Sequence, residues 1–210
     1  MSNPATVLPL TTADHPKRHS KWYQWHKGRR YYGVWYLPID DGEVVRYCQS
    51  LRMDICDILA DGYERQWHIT VFVNGFYVDE CCYSDDFDNE ILSSQIKALE
   101  KMALPRFALN TARLGSFINC AYLGIAPHPS LDAVRHALAS VHQEIAPAAY
   151  TPHITLGLYR RAYAYDDVIK RLAAVQTQSL NLPVNRLIFA TFDAIDLQGK
   201  LHNRHEIILK

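Results

Sequence analysis

The tripeptide His-Ile-Thr occurs twice, in WHITVFV at 67–73 and, eighty-five residues on, in PHITLGL at 152–158. No other feature restricts the fold as much. Each copy lies in a short run of apolar, β-branched residues, the composition of a strand. In a strand, residues i and i+2 share a face. His68 and Thr70 therefore point one way, and Ile69, Val71 and Val73 the other. Likewise His153 and Thr155 lie opposite Ile154, Leu156 and Leu158. The apolar faces need helices to cover them, which leaves the His/Thr faces for solvent, a cleft or an unusually polar core.

The flanking sequence supplies such helices. In 40–59, Val44, Val45, Cys48, Leu51, Ile55, Ile58 and Leu59 recur at helical spacing, with Asp40 or Asp41 as N-cap. Residues 88–103 repeat the pattern through Ile91, Leu92, Gln95, Ile96, Leu99 and Met102. Further helices are predicted over 130–145, capped by Ser130, and over 165–175. YYGVWYLPID (31–40) reads as a strand stopped by Pro38. RFALNTARL and INCAYLGIA read as a hairpin about Gly115-Ser116, and NRLIFATFDAI and HEIILK as final strands. Because hairpins interrupt the alternation, this order favours α+β over a doubly wound sheet. Each HIT strand follows one helix and precedes another. The expectation is a bilobal, duplicated fold: two pseudo-symmetric, antiparallel-rich sheets with helices outside and a central cleft.

Two such His/Thr pairs facing each other suit attack on a phosphodiester. An imidazole titrates near pH ~6.5, so one ring can be neutral while the other is protonated. The neutral ring takes a proton from the nucleophile and the protonated ring gives one to the departing oxygen. Threonine hydroxyls can donate to the non-bridging oxygens. Such chemistry calls for no metal and no cofactor. HPKRH (15–19), HNRH (202–205) and Cys81-Cys82 have zinc-like spacings, but no complete four-ligand pattern forms.

Formal charge balances to zero, which argues against a protein held on nucleic acid by bulk charge. A small polar substrate or a nucleic-acid end gripped locally remains. Neither G-x-x-x-x-G-K nor G-x-G-x-x-G occurs, which removes kinase and dinucleotide-oxidoreductase readings. Residues 1–30 read as an N-terminal extension, with six Lys/Arg and no acid from Lys17 to Arg30, interleaved with Trp22, Tyr23 and Trp25. Residues 31–210 read as one domain. KWYQWHKGRRYY (21–32) mixes the charge and flat rings used to grip phosphates and stack bases, although a surface extension with its aromatics packed on the domain and its charges solvated is the favoured reading; Arg29 and Arg30 are best placed to reach a phosphate. Nothing resembles a signal peptide, and no apolar run approaches the roughly 18 residues of a membrane helix. The five cysteines show no C-x-x-C, and most sit in apolar segments, as reduced core cysteines do. A cytoplasmic location with no membrane and no obligate protein partner is expected.

These motifs resemble the two-histidine (2H) phosphoesterase superfamily, whose hallmark is one H-x-[ST] per lobe. Within it, the bacterial RNA 2′,3′-cyclic phosphodiesterase and 2′-5′ RNA ligase-like branch is the best match. The resemblance covers about 31–210 and includes YYGVWYLPID, HITVFVNGF, FALNTARLGSF, AYLGIAPHPSLDAVRHAL and YTPHITLGL. It implies metal-free acid/base catalysis by His68 and His153 on a cyclic or 2′-5′ phosphodiester of a nucleotide or RNA end. Thr70 and Thr155 would hold the phosphate, and which histidine is the base stays open. That branch often has a basic residue soon after the second motif. Here Leu158 and Tyr159 intervene before Arg160 and Arg161. Tyr159 continues the His153/Thr155 face, where it could stack on a base or simply cover the cleft edge, and Arg160 could meet the phosphate. The extension at 1–30 lies outside the family pattern. Other readings of the same cleft are a non-catalytic nucleotide-binding module, or a hydrolase of a cyclic oligonucleotide or an ADP-ribose cyclic phosphate.

Overall fold

The computed structural model describes Thr12 and residues 25–145, 149–196 and 198–210. Strand β1 (Tyr31–Pro38) leads through helix α1 (Gly42–Asp54) to β2 (His68–Tyr77) and the two-residue β3 (Asp86–Phe87). Helix α2 (Asn89–Met102), the hairpin β4 (Phe107–Ser116) and β5 (Cys120–Ile125), and helix α3 (Pro129–Ala139) follow. Then come β6 (His153–Leu158), α4 (Tyr165–Ala173), β7 (Asn181–Val184), β8 (Arg186–Asp193) and β9 (His202–Ile208). The α+β class and the HIT strands stand as expected.

All strands join one sheet in the order β7-β4-β5-β6-β2-β1-β8-β9, with β3 beside β2. Its two halves, β6-β5-β4-β7 and β2-β1-β8-β9, meet where β2 and β6 pair at Ile69 and Ile154. These are the middle residues of the two HIT copies. Each half repeats one unit in which a strand, a helix and a HIT strand follow in turn, and the two strands pair antiparallel. The helices cross over: α1 packs on β6 and α3 on β2. That exchange ties the halves into one core, with Ile69, Val71, Ile154 and Leu156 fully buried beneath the helices.

Local chemistry sets the ends of the elements. Asp41 caps α1 and Asp88 caps α2, each carboxylate accepting from two backbone N–H groups of the first turn. Helix α3 differs from expectation at both ends. Its cap is His128, whose ring accepts from Ser130 N, with Pro129 in the first turn. It stops at Ala139 rather than 145 because the splayed edge of β2 competes for the chain. Ile145 N donates to the Val73 carbonyl at 3.1 Å, and the Glu144 carboxylate accepts from Val73 N at 3.1 Å. Those bonds satisfy strand groups that β6 no longer reaches.

The β4–β5 hairpin also turns later than predicted. Gly115 and Ser116 are paired strand residues, opposite Tyr122 and Ala121, and Phe117 N bonded to the Cys120 carbonyl closes the turn. Gly115 serves the ring of Tyr122, because a Cβ there would lie 2.5 Å from it. Strand β7, containing Pro183, went unpredicted; it is an edge strand, where a missing N–H is tolerated. Cysteine burial departs from expectation as well: Cys48 and Cys120 are buried, while Cys56, Cys81 and Cys82 are exposed, all unbridged. Among the described residues no helix is long and apolar enough to cross a membrane.

Candidate active site

The pairing around the two HIT strands is the same to the residue. Thr70 faces Tyr36 and Thr155 faces Tyr122. The next aligned pairs are Phe72 with Trp35 and Gly157 with Ala121, so Val71 and Leu156 are each one residue too many. Both are β-bulges, placed just after the threonine, which bend the strand and change how later side chains face.

The histidines are fixed in the same way. His68 Nδ1 lies 2.7 Å from the carbonyl of Gln66, and His153 Nδ1 lies 2.7 Å from the carbonyl of Thr151, two residues upstream in each case. A carbonyl only accepts, so each Nδ1 carries the hydrogen and each Nε2 keeps its lone pair. Aromatic edges hold the rings. Tyr36 meets His68 at 5.7 Å between centroids, while Tyr122 and Phe117 meet His153 at 5.2 and 4.8 Å. Tyr36 is itself tied by its hydroxyl to Asn203 at 2.8 Å.

His68, Thr70, His153 and Thr155 line one cleft of about 280 Å³, together with Arg65 and Asn119. The four residues selected by the repeat are therefore together. Burial pushes the His68 pKa down to about 4; Arg65 and His153 push the same way, against the hydrogen bond to Gln66. Burial also lowers His153, opposed by the Thr151 carbonyl. Burial lifts the Cys120 thiol to about 12, against a lowering influence of Thr155, which leaves it protonated at neutral pH. Among the described residues no group of three or more His, Cys, Asp or Glu could hold a metal ion. HPKRH lies outside the described residues.

The four predicted substrate contacts are not in this cleft. Tyr159 is fully buried, with its hydroxyl 2.5 Å from Ser116 Oγ. The bulge at Leu156 reverses the alternation, so Leu158 faces the cleft and Tyr159 the core. Arg160 turns back to the Leu59 carbonyl at 3.0 Å and to Asp61 at 3.5 Å. Arg29 is a buried latch between Asp85 and Asp86, stacked 3.7 Å over Phe76, so its charge is already neutralised. Arg30 pairs with Asp193 at 3.1 Å on the surface. Of the basic-aromatic run, Lys21, Trp22 and Tyr23 lie outside the described residues.

Sequence reasoning missed Tyr36, Tyr122 and Arg65, and with them Phe117 and Asn119. Tyr36 and Tyr122 had a signal: WYLPID at 35–40 and AYLGIA at 121–126 are a second, weaker repeat that sets a tyrosine opposite each HIT threonine. Arg65 had none, because a single arginine ahead of a strand is unremarked in sequence.

The architecture has known counterparts. Escherichia coli LigT solved with 3′-AMP superposes with a TM-score of 0.52 at 14% identity, over 86% of this chain and 98% of that one. LigT solved with ATP gives 0.51 at 14% identity, over 86% and 98%. The protein TT0787 of Thermus thermophilus gives 0.55 at 12% identity, over 85% and 97%. At these identities the likeness is one of fold. Among curated proteins none matches the sequence. The sequence model of the 2′-5′ RNA ligase superfamily matches residues 41–196, which hold both HIT motifs, and the chain belongs to that superfamily.

Proposed function

We propose that this protein is a metal-independent phosphodiesterase that hydrolyses a 2′,3′-cyclic or 2′-5′-linked phosphodiester of a nucleotide or RNA end. One observation carries the reading: both HIT histidines are anchored through Nδ1 to the carbonyl two residues upstream and line the same cleft. Two like-anchored Nε2 atoms make a matched acid and base. Water attacks phosphorus as its proton passes to the neutral Nε2. The P–O bond to the leaving oxygen breaks as that oxygen takes the proton from the other Nε2. Exchange with solvent then restores both rings. The hydroxyls of Thr70 and Thr155 donate to the non-bridging oxygens, where charge builds. LigT, solved with ATP and with 3′-AMP, supports a nucleotide as the ligand.

Both histidines are held below the ordinary imidazole value. An arriving phosphate favours the charged form of one of them, so the acid is loaded as substrate binds. The free enzyme's working state, with one ring charged, is most populated at acid pH. The kcat/KM profile should be a bell centred below about 6.5.

The test is hydrolysis in EDTA of 2′,3′-cyclic nucleotides, RNA ending in a 2′,3′-cyclic phosphate and 2′-5′ oligoadenylate, with a 3′,5′-cyclic control. His68→Ala and His153→Ala should each lose roughly 10²- to 10⁴-fold in kcat. Variants as active as wild type would overturn the acid/base assignment. Nucleotide binding without turnover would make the cleft a binding module.

A further inference from the structure

The two ends of the cleft differ in charge although the centre is symmetric. Three residues before each HIT histidine stand Arg65 in one half and Tyr150 in the other. Arg65 lines the cleft beside His68 and Thr155. Its Nε donates to the Gly199 carbonyl at 2.9 Å, and its guanidinium lies 4.1 Å from the centre of the Phe192 ring. Its Nη2 is buried with no hydrogen-bond partner, and the only carboxylate acting on it among the described residues, Asp196, does so at a distance without an ion pair. The other arginines packed inward, Arg29 and Arg135, both hold carboxylates. A guanidinium with one buried, open donor is costly unless an anion or another acceptor completes it.

Tyr150 borders a smaller chamber of about 150 Å³ that joins the catalytic cleft through Thr70, Phe117 and His153. Its hydroxyl is occupied by the Thr70 carbonyl at 3.0 Å. The cation there, Arg135, stacks 3.8 Å from the Tyr150 ring and is neutralised by Glu144 at 2.5 Å. This end therefore offers carbon and ring faces without free charge.

We infer that the cleft selects a nucleotide carrying two phosphates on one ribose, with the reacting phosphate between the His/Thr pairs, the second at Arg65 and the uncharged base toward Tyr150. The inference rests on the phosphodiesterase reading and sharpens it. A 5′-phosphorylated or internal nucleotide of a chain is taken in preference to a nucleoside with a single cyclic phosphate. The pseudo-twofold repeat fixes the reacting phosphate on the axis between β2 and β6, whereas Arg65 stands off that axis in one half.

Calorimetric titration with adenosine 2′-monophosphate and adenosine 2′,5′-bisphosphate tests this without requiring turnover. Wild type should bind the bisphosphate about tenfold more tightly, the scale of one charge-assisted contact. Arg65→Gln should erase that preference while leaving monophosphate binding nearly as it was. Arg65→Lys, which keeps the charge and loses the planar fork, should retain part of it. Arg160→Gln, outside the cleft, should keep it whole. Equal binding of the two ligands by wild type overturns the inference even if no Arg65 variant folds. An equal loss for both ligands in Arg65→Gln also overturns it, placing Arg65 on the reacting phosphate. Failure of wild type to bind either ligand removes the phosphodiesterase reading as well.

Discussion

The first HIT half and the second share their geometry and differ in their electrostatics. Both have the bulge after threonine, the carbonyl anchor at i−2 and a tyrosine edge on the histidine. Yet His68 is 7% exposed and lies within the influence of Arg65, whereas His153 is half-buried among Phe117 and Tyr122. In the proposed reaction, symmetric donors would suit the equivalent non-bridging oxygens of a phosphoryl group, whereas proton transfer would need one ring to give while the other takes. The duplication would supply the first requirement, and the differing surroundings of the histidines the second.

The largest expected effect breaks this comparison through pH. A histidine whose folded pKa lies below its unfolded value stabilises the fold only while it stays neutral. For His68 the contribution is complete above about pH 6.5 and is lost as pH falls to about 4. That difference corresponds to about 3 kcal/mol at full protonation. His68→Gln should therefore gain on wild type by up to that amount between pH 7 and pH 4, read from urea midpoints at both values. His153→Gln should gain less, since His153 keeps more contact with solvent. An equal gain for both would remove the electrostatic distinction between the halves.

The repeat was legible because the same tripeptide stands at like places in two strands. Strand alternation then placed His68, Thr70, His153 and Thr155 on one side, and the structure has all four lining one cleft. Alternation failed at Tyr159 for a definite reason: a bulge adds a residue that no periodicity announces. Arg29 failed differently. Its charge reads as free in sequence, but Asp85 and Asp86, fifty-six and fifty-seven residues away, neutralise it. Arg65 was invisible because what marks it is one buried nitrogen, Nη2, left without a hydrogen-bond partner, a property of packing alone. The end of α3 was set by a distant strand edge, so its own periodicity could not locate it.

A middle-sized effect should come from Gly115, which bears on the second half only. A methyl group there meets the ring of Tyr122 at 2.5 Å, and Tyr122 in turn leans on His153. Gly115→Ala should cost about 2 kcal/mol from overpacking and should lower kcat more than it raises KM, because His153 loses its setting. No equivalent clash reaches His68, whose ring partner Tyr36 is held by Asn203. Adding Tyr122→Phe would not rescue Gly115→Ala, since the clash includes ring carbon, whereas Tyr122→Leu should restore stability in part. Stability unchanged in the single variant would mean that the hairpin shifts freely and does not position the histidine.

The smallest effect separates the two readings of Tyr159. Its counterpart six residues after the first histidine is Asn74, and both are fully buried. Each is satisfied within the protein, Asn74 by Gln95 at 2.7 Å and Tyr159 by Ser116 at 2.5 Å. Their neighbours Val73 and Leu158 border the two chambers instead. Both halves thus turn the same position inward after the same bulge, as a shared backbone requires. Tyr159→Phe keeps the ring and removes only the hydroxyl. It should lower stability by about 1 kcal/mol, the worth of one buried hydrogen bond, and leave KM unchanged for every nucleotide tested. A base stacked on Tyr159 requires the ring to leave the core, and Tyr159→Phe would then ease that departure and lower KM. Unfolding midpoints and KM measured on the same preparation decide between the two, because the core position and the stacking position predict opposite patterns.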